Sequence, residues 1–460
     1  MQKMRFFRRC LPLFLAFWLL LAVAGAPFAA YAGESVTVRD SSGQVRYAAP
    51  MDPENACPAL QSALDTVRSG AYGACTVTVT PGEYRMTKSA VLASDMTLDL
   101  TGVTLLNANA GKGNIFISPN RDRTGKDYTE YSALENCTLR GGTLDYAPGN
   151  TNGSCLLRLA HCKNVTVDGT AFLNNTDSHH AELAAGYNVR FVNCLFSGQT
   201  NQTESSAEAL QIDILEKNRH FANFPAYDGT MNQKITVEDC TFQDLICGVG
   251  TRNAFAGRYQ KGVTIRGNTF RRLQGTAIVC TNYVDAVIEK NTITDCGRGV
   301  AYYMCKNSGV TDLFTDGSGK VLGKRNTDCG SRITDNTISV CQTAEMDKPR
   351  GMFLYGGKAT GKMPAGNYAV YNLTVSGNTI TTTGGGITGT DLQNCTLADN
   401  RITHTGAAVE TTVGILLHGS SGNLIEKNTC TALHNGLKCM DASHSNELRS
   451  NTVTNSRSSA

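Results

Sequence analysis

The sequence has little charge, few aromatic residues and no dominance of either sign of charge. Charged residues make up 18% of the chain, aromatic residues 7%, and the formal net charge is +3. Lysine and arginine are scattered, so the charge pattern favours neither a nucleic acid nor an anionic membrane as the partner. The single tryptophan, Trp18, lies near the start of the chain. Any aromatic platform elsewhere must therefore be built from tyrosine, phenylalanine or histidine.

Long apolar runs are also absent, except near the N-terminus. A basic start, residues 1–9, precedes the apolar run 10–24, and Ala30-Tyr31-Ala32 supplies the small residues that a signal peptidase reads. This pattern predicts a cleaved secretory signal peptide over residues 1–32, and the alternative is an uncleaved anchor. Because no later run is long enough to span a bilayer, we expect a secreted or cell-surface protein with no membrane segment after cleavage.

Cysteine is plentiful, but no Cys-x-x-Cys or zinc-ligand spacing is present, so we expect no metal and no cofactor. Cys57 and Cys75 flank a short helical segment and form the best candidate disulfide, which export would permit. Another group of cysteines occupies one repeated position, where buried, unpaired thiols are expected to stack. Its members are Cys137, Cys194, Cys240 and Cys395.

A helix and a strand begin the mature chain. Residues 55–69 carry apolar side chains at helical spacing, and the alternating strand 75–79 follows them. Next comes Pro81-Gly82-Glu83-Tyr84. This order resembles the N-terminal cap of pectin-lyase-like β-helix proteins, in which the cap covers an open sheet edge. We therefore expect residues 33–75 to form an N-terminal segment with a capping helix.

A four-residue turn unit with Asn or Cys at its second position, usually followed by Thr, recurs along the rest of the chain. It appears, for example, at residues 193–196, 239–242, 267–270, 290–293 and 335–338. Many spacings are about 22–29 residues, which is typical of a solenoid. A sandwich rich in asparagine turns does not explain why the same strand pattern flanks each turn. The chain resembles the right-handed parallel β-helix, pectin-lyase-like superfamily over about residues 76–455, and the resemblance implies an all-β solenoid domain at residues 76–460.

One strand of each repeat alternates inward apolar residues with outward ones. The first inward row is read as Cys155, Ala181, Leu210, Val249, Ile278, Val300 and Met352, which makes the residue after each of them outward. On the outward face, polar residues concentrate in the early coils and aromatic residues in later coils. The candidate substrate-binding residues on this face are Arg158, Gln211, Arg252, Tyr303, Phe353 and Tyr355.

Glu182 and Asp213 are the candidate catalytic pair on this face. One coil and two residues separate them, which places their Cβ atoms about 8 Å apart and suits an inverting glycosidase. Arg252 beside Asp213 would keep Asp213 ionised as a base, and Glu182, next to neutral Gln211, would be the acid. His180 is expected on the same face. Asp177 and Glu208 are secondary candidates in the preceding turns, and the competing interpretation is a solvated sheet face.

These residues favour a secreted carbohydrate-active enzyme with a polysaccharide substrate, most simply a glycoside hydrolase. A polysaccharide lyase remains open, with His180 as the base and two arginines neutralising a uronate carboxylate. A non-catalytic glycan-binding surface protein is the third possibility. Asn175-Thr176-Asp177 resembles a motif of galacturonan hydrolases, but the other motifs of that family are absent. The glycan and the oligomeric state stay open at this point.

Overall fold

The structure is a computed structural model, which describes residues 35–150, 153–176, 178–199, 208–215, 221, 223–251, 257–304, 328–358, 367–407 and 409–454. The expected signal peptide and two of the candidate site residues, Asp177 and Arg252, lie outside these ranges. Within them, no helix is both long enough and apolar enough to cross a membrane.

The N-terminal region combines one helix with an antiparallel sheet extension. Strands Val36–Asp40 and Val45–Ala49 pair with each other, and the first of them also pairs antiparallel with Cys75–Val79. The helix spans Cys57–Arg68 and begins with a proline in its first turn, where the missing N–H costs nothing. The helix prediction is confirmed, because Cys57, Leu60, Leu64 and Val67 are buried on one side of this helix.

The remaining strands stack as a parallel solenoid of three sheets, which confirms the predicted all-β parallel β-helix. Sheet A contains Ala90–Val91, Phe116–Ile117, Glu208–Asp213, Cys247–Gly250, Thr276–Thr281, Arg298–Met304, Arg350–Lys358, Gly385–Thr390, Val413–His418 and Asn435–Met440. Two long strands, Leu157–Asp168 and Ala181–Val192, begin in sheet A and continue into sheet B.

The other two sheets close the solenoid. Sheet B contains Cys75–Val79, Met96–Asp99, Leu134–Arg140, Gln233–Glu238, Thr264–Arg266, Val287–Glu289, Arg332–Thr334, Thr374–Ser376, Thr396–Ala398, Leu424–Glu426 and Glu447–Arg449. Sheet C contains Gly82–Met86, Val103–Asn107, Thr143–Tyr146, Ala171–Asn175, Leu195–Gln199, Thr241–Leu245, Thr269–Leu273, Thr292–Cys296, Thr337–Val340, Thr379–Thr382, Arg401–His404, Thr429–Thr431 and Thr452–Thr454. Short strands flank them at Gln260–Lys261, Tyr283–Val284, Asn367–Tyr368, Val370–Tyr371 and Leu392–Gln393.

Repeated side chains stack inside the solenoid at the spacing of its coils. The asparagines of the turns form a ladder: Asn291 Nδ2 donates to Asn336 Oδ1 at 2.9 Å, and Asn336 Nδ2 donates to Asn378 Oδ1 at 2.9 Å. On sheet C the rings of Phe172, Phe196, Phe242 and Phe270 stack in sequence, with centroids 4.6–4.8 Å apart. The asparagine of each turn therefore links one coil to the next.

The cysteines among the described residues are free thiols, and the two expectations stated above have different outcomes. Cys194 and Cys240 are buried and unpaired, as expected for stacked thiols. The Cys57–Cys75 disulfide prediction is wrong, because both residues are free. The Cys57 sulfur instead accepts a hydrogen bond from the Lys88 backbone amide at 3.2 Å. Its partner is therefore the segment that follows strand Gly82–Met86.

A column of small residues lines the corner where each coil enters sheet A. It precedes the first inward residue and contains Ala209, Gly248, Ala277, Gly299, Gly351, Gly386, Gly414 and Gly436. A Cβ on Gly248 would lie 2.7 Å from the Phe270 ring, and one on Gly299 would lie 2.7 Å from Ile338. The corner position therefore points inward, against the side chains of sheet C. In the coil of Ala181 this position is occupied by His180.

The register differs from the predicted one in the first of these coils. Leu157, not Cys155, pairs with Ala181, and Arg158 consequently pairs with Glu182. The error arose because Cys155 precedes the corner and Leu156 fills the corner itself, fully buried. From Ala181 onward the predicted rows agree with the observed pairing.

Candidate functional site

Three rows of side chains run along the outer surface of sheet A. The middle row contains Arg158, Glu182, Gln211, Gly250, Val279, Ala301, Phe353 and Thr388. The far row contains Ala160, Ala184 and Asp213, and further along Thr281, Tyr303, Tyr355 and Thr390. The edge row precedes the corner and contains Cys155, His179, Glu208, Cys247, Thr276, Arg298 and Arg350. The edge row was missed in the sequence analysis, which started each strand after the corner.

An ion pair between neighbouring coils anchors the middle row. Arg158 Nε lies 2.5 Å from Glu182 Oε2, and the Glu182 side chain is 9% exposed. Burial opposes the charged form of Glu182, but the Arg158 guanidinium and the nearby His179 outweigh it, so the pKa of Glu182 lies below its ordinary value. The expectation that Glu182 lacks a cationic neighbour is therefore wrong. Its cause is the register error, which had moved Arg158 away from Glu182.

His179 and Glu208 form a second pair beside this one, in the edge row. His179 Nδ1–H donates to the Glu208 carbonyl oxygen at 2.6 Å and lies 3.8 Å from Glu208 Oε2. The Glu208 side chain extends over Gly250: its Cγ is 2.8 Å from the position that a Cβ would take there. Glu208 is buried in a strand and is not a turn residue. The same histidine thus influences both Glu182 and Glu208.

Gln211 completes the cluster in the middle row. Its side chain is 1% exposed, and neither its amide nitrogen nor its amide oxygen has a hydrogen-bond partner among the described residues. Burying an amide without partners costs about 1–3 kcal/mol. Gln211 lies beside Glu182 on one side and Gly250 on the other. The cluster thus contains a buried amide whose hydrogen-bonding capacity the described residues leave unused.

Asp213 does not point into solvent, contrary to the expectation for a catalytic pair on an open face. It is fully buried in the far row next to Ala184. A small apolar cluster outside the solenoid covers this row. It consists of Ala160, Ala184, Ala185, Leu215, Phe221 and Phe224. The described residues of the segment after Asp213 thus fold back onto the far row.

His180 lies inside the solenoid and not on the outer face. Its ring stands edge-on to Phe196, with centroids 6.2 Å apart, and its Nε2 lies 3.3 Å from the Ser197 carbonyl oxygen. Burial lowers the pKa of His180 to about 4. The expectation that His180 shares the face of Glu182 is wrong, because the corner position turns inward. The histidine on that face is His179.

Small residues and an aromatic cluster continue the face beyond Gln211. Gly250, Val279 and Ala301 form the middle row there, and Phe353 follows them. The ring of Phe353 is 5.9 Å from that of Tyr303 and 5.7 Å from that of Tyr355, centroid to centroid. The three aromatic candidates thus lie together, and their role in binding sugars stays a prediction. We call this stretch of sheet A, from Arg158 to Tyr355, the outer trough.

The buried ion pair of Arg158 and Glu182 should contribute to the free energy of unfolding. Arg158→Met should destabilise the protein by about 3–5 kcal/mol at neutral pH, because it leaves the Glu182 carboxylate buried without its cation. The double variant Arg158→Met/Glu182→Leu should recover most of this loss. Urea unfolding of the wild type, both single variants and the double variant measures the coupling.

The pH dependence of this variant has a defined sign. Because the folded pKa of Glu182 lies below its ordinary value of 4.5, the pair stabilises the wild type above that pH and less as the pH falls through the folded pKa. The deficit of Arg158→Met should therefore shrink as the pH falls below neutrality, because burial raises the pKa of a lone Glu182 and the carboxyl is protonated before that of the paired wild type. A deficit that is independent of pH would contradict the ion pair.

Comparisons with known proteins agree with this architecture. The sequence model of a family described as "Right handed beta helix region" matches residues 227–364 and 365–460. The structure of PfbA, a surface adhesin of Streptococcus pneumoniae, is similar with a TM-score of 0.64 at 18% identity, covering 89% of this chain and 91% of that one. A tailspike protein of E. coli bacteriophage HK620 in complex with a pentasaccharide gives a TM-score of 0.57 at 16% identity, covering 90% of this chain and 77% of the tailspike. No curated protein sequence matches the chain. At these identities the structural similarity concerns the fold alone.

Proposed function

The chain belongs to the right-handed β-helix family, and from that premise we propose that it is an exported glycoside hydrolase whose polysaccharide substrate lies in the outer trough. The proposal includes cleavage of residues 1–32 as a signal peptide. A fold does not fix a reaction, so the proposal depends on the residues of the trough. Support from the fold is limited to a precedent: a tailspike with a similar fold was solved with a pentasaccharide.

The observation that carries the proposal is the unpartnered amide of Gln211 within a cluster of buried charges. A purely structural ion pair between Arg158 and Glu182 does not require a neighbouring amide with no partner. A sugar hydroxyl can donate to the amide oxygen and accept from the amide nitrogen, which satisfies both atoms. Arg158, with a side chain 24% exposed, gives the cluster access to solvent.

The charges favour catalytic roles other than those expected from the sequence. Glu182 is held ionised by Arg158, which suits a base or nucleophile and not an acid. The acid is then a second carboxyl group, either Asp213 of the far row or Glu208 of the edge row. Asp213 stands one coil and two residues from Glu182, which corresponds to about 8 Å between their Cβ atoms.

The direct test is a release screen of the full mature chain across plant, bacterial and animal polysaccharides. New reducing ends without absorbance in the near ultraviolet are the expected result. Unsaturated, absorbing products would instead indicate a lyase, although His180 lies inside the solenoid and is not placed to act as its base. Binding without any product would indicate a non-catalytic glycan-binding protein. The burial of Asp213 makes glycan binding the second candidate function.

Gln211→Leu separates a binding role from a structural role. The leucine removes a buried amide without partners and keeps a similar shape, so we expect Tm to stay equal or to rise. Glycan affinity should nevertheless fall about 10-fold or more, because the bound hydroxyl loses its partners. Gln393→Leu, at a partly exposed site outside the trough, is the matched control. Unchanged glycan affinity in Gln211→Leu would remove the basis of the proposal.

A further inference from the structure

Two arginines that form no ion pair with a described residue lie side by side at the aromatic end of the trough. Arg298 and Arg350 are direct partners in adjacent parallel strands of the edge row. Adjacent strands are about 4.8 Å apart, and like charges at directly opposed positions repel each other. On sheet B, by contrast, Arg266 lies between Glu238 and Glu289 and pairs with both.

No carboxylate of the described residues forms an ion pair with Arg298 or Arg350. Arg298 donates to the Tyr303 hydroxyl at 3.3 Å and contacts the Met346 sulfur, and its buried Nε has no hydrogen-bond partner. Arg350 makes no side-chain hydrogen bond with a described residue. Burial and the neighbouring Arg298 lower the pKa of Arg350. The pair therefore carries a positive charge that is not compensated by an ion pair.

An aromatic ring fixes the positions of both guanidinium groups. The central carbon of each guanidinium lies 5.1 Å from the centroid of the Phe353 ring. Cation–π contacts of this kind contribute about 0.5–2 kcal/mol and leave the N–H edges of the guanidinium available. Phe353 belongs to the middle row, four coils beyond Gln211, which corresponds to about 19 Å. The arginine pair and the buried cluster are thus separate positions along one trough.

We propose that Arg298 and Arg350 form a subsite for an anionic substituent, a carboxylate or a sulfate, on the glycan that occupies the trough. The two guanidinium groups supply paired N–H donors to the oxyanion, and Phe353 and Tyr355 contact the sugar ring that carries it. Charge-assisted, bidentate hydrogen bonds of this type are about twice as strong as neutral ones. The inference rests on the proposed function for the glycan, but the binding of a small oxyanion can be tested without it.

The first experiment measures thermal unfolding of the mature chain with small probes. Glucuronate and inorganic sulfate should each raise the Tm of the wild type in a concentration-dependent way, and glucose should not. The shift should vanish in Arg350→Gln and in Arg298→Gln. Without any probe the Tm of these variants should stay close to that of the wild type, because relief of the repulsion between like charges offsets the lost cation–π contact with Phe353. Arg401→Gln removes an exposed arginine of sheet C and should keep the full shift.

The second experiment compares an acidic polysaccharide with a neutral one by affinity. We expect a preference for the acidic chain that falls about 10-fold in Arg350→Gln and weakens with added salt. A polyuronate and a sulfated glycan tested in parallel identify which oxyanion is recognised. Equal affinity for acidic and neutral chains, with no Tm shift by either small anion, would overturn the subsite.

The two proposals fail in different ways. If a neutral glycan is cleaved and the anions have no effect, the subsite is wrong and the hydrolase proposal stands. If the anions bind through Arg350 but Gln211→Leu leaves glycan affinity unchanged, the subsite stands and the proposed active site is wrong.

Discussion

Glu182→Gln is expected to lower kcat by about 10³-fold or more on the polysaccharide that the release screen identifies. The substitution keeps the shape of the side chain but removes the charge that acts as base or nucleophile. Because ground-state contacts are largely preserved, the change should appear in kcat and much less in KM. Glu426→Gln replaces a partly exposed glutamate of sheet B and serves as the matched control, with no change expected in either constant.

The same assay identifies the acid among the remaining carboxyl groups. Asp213→Asn and Glu208→Gln should both be made, and the variant that lacks the acid should regain activity on an aryl glycoside with a good leaving group, which needs no protonation. Glu182→Gln should remain inactive on that substrate. If all three variants keep near-normal turnover while folding normally, the trough binds glycans but is not an active site.

The fold could be predicted from the sequence because its determinants repeat. The asparagine of each turn bonds to the next asparagine along the stack, so the same residue is required in every coil, as Asn336 and Asn378 show. Inward apolar residues repeat for the same reason. The register error has the opposite cause. Most coils have glycine or alanine at the corner before sheet A, but the coil of Leu157 has Leu156 there, so the small residue that marks the start of the strand was absent.

The site could be predicted only in part, because its chemistry depends on features that do not repeat. Alternation along the strand placed Glu182 and Gln211 correctly as neighbours. It could not place His180 or His179, because the chain bends at the corner and reverses the alternation there. Nor could it foresee that Phe221 and Phe224 pack against Ala160 and Ala184 of the far row, in which Asp213 is fully buried. A scan of the position two residues before the first inward one would have revealed Glu208, Arg298 and Arg350 as a third outward row.

Asn336→Leu is expected to destabilise the protein by roughly 3–5 kcal/mol, because four buried polar groups lose partners at once. Asn336 Oδ1 accepts from the Asn291 amide at 3.0 Å and from Asn291 Nδ2 at 2.9 Å. Its Nδ2 donates to the Ile288 carbonyl at 3.0 Å and to Asn378 Oδ1 at 2.9 Å. No water reaches these positions, since Asn336 is 1% exposed. Guanidinium unfolding followed by circular dichroism measures the loss.

The control for this prediction is the same change nearer the C-terminal end of the ladder. Asn451 makes equivalent bonds to Asn428, but its side chain is partly exposed. Water can replace its partners there, so Asn451→Leu should cost about 1 kcal/mol or less. In a solenoid each coil contacts only its neighbours, and a broken central rung weakens two interfaces at once. Equal losses for Asn336→Leu and Asn451→Leu would mean that the asparagines act through their individual turns, and not as a ladder that couples one coil to the next.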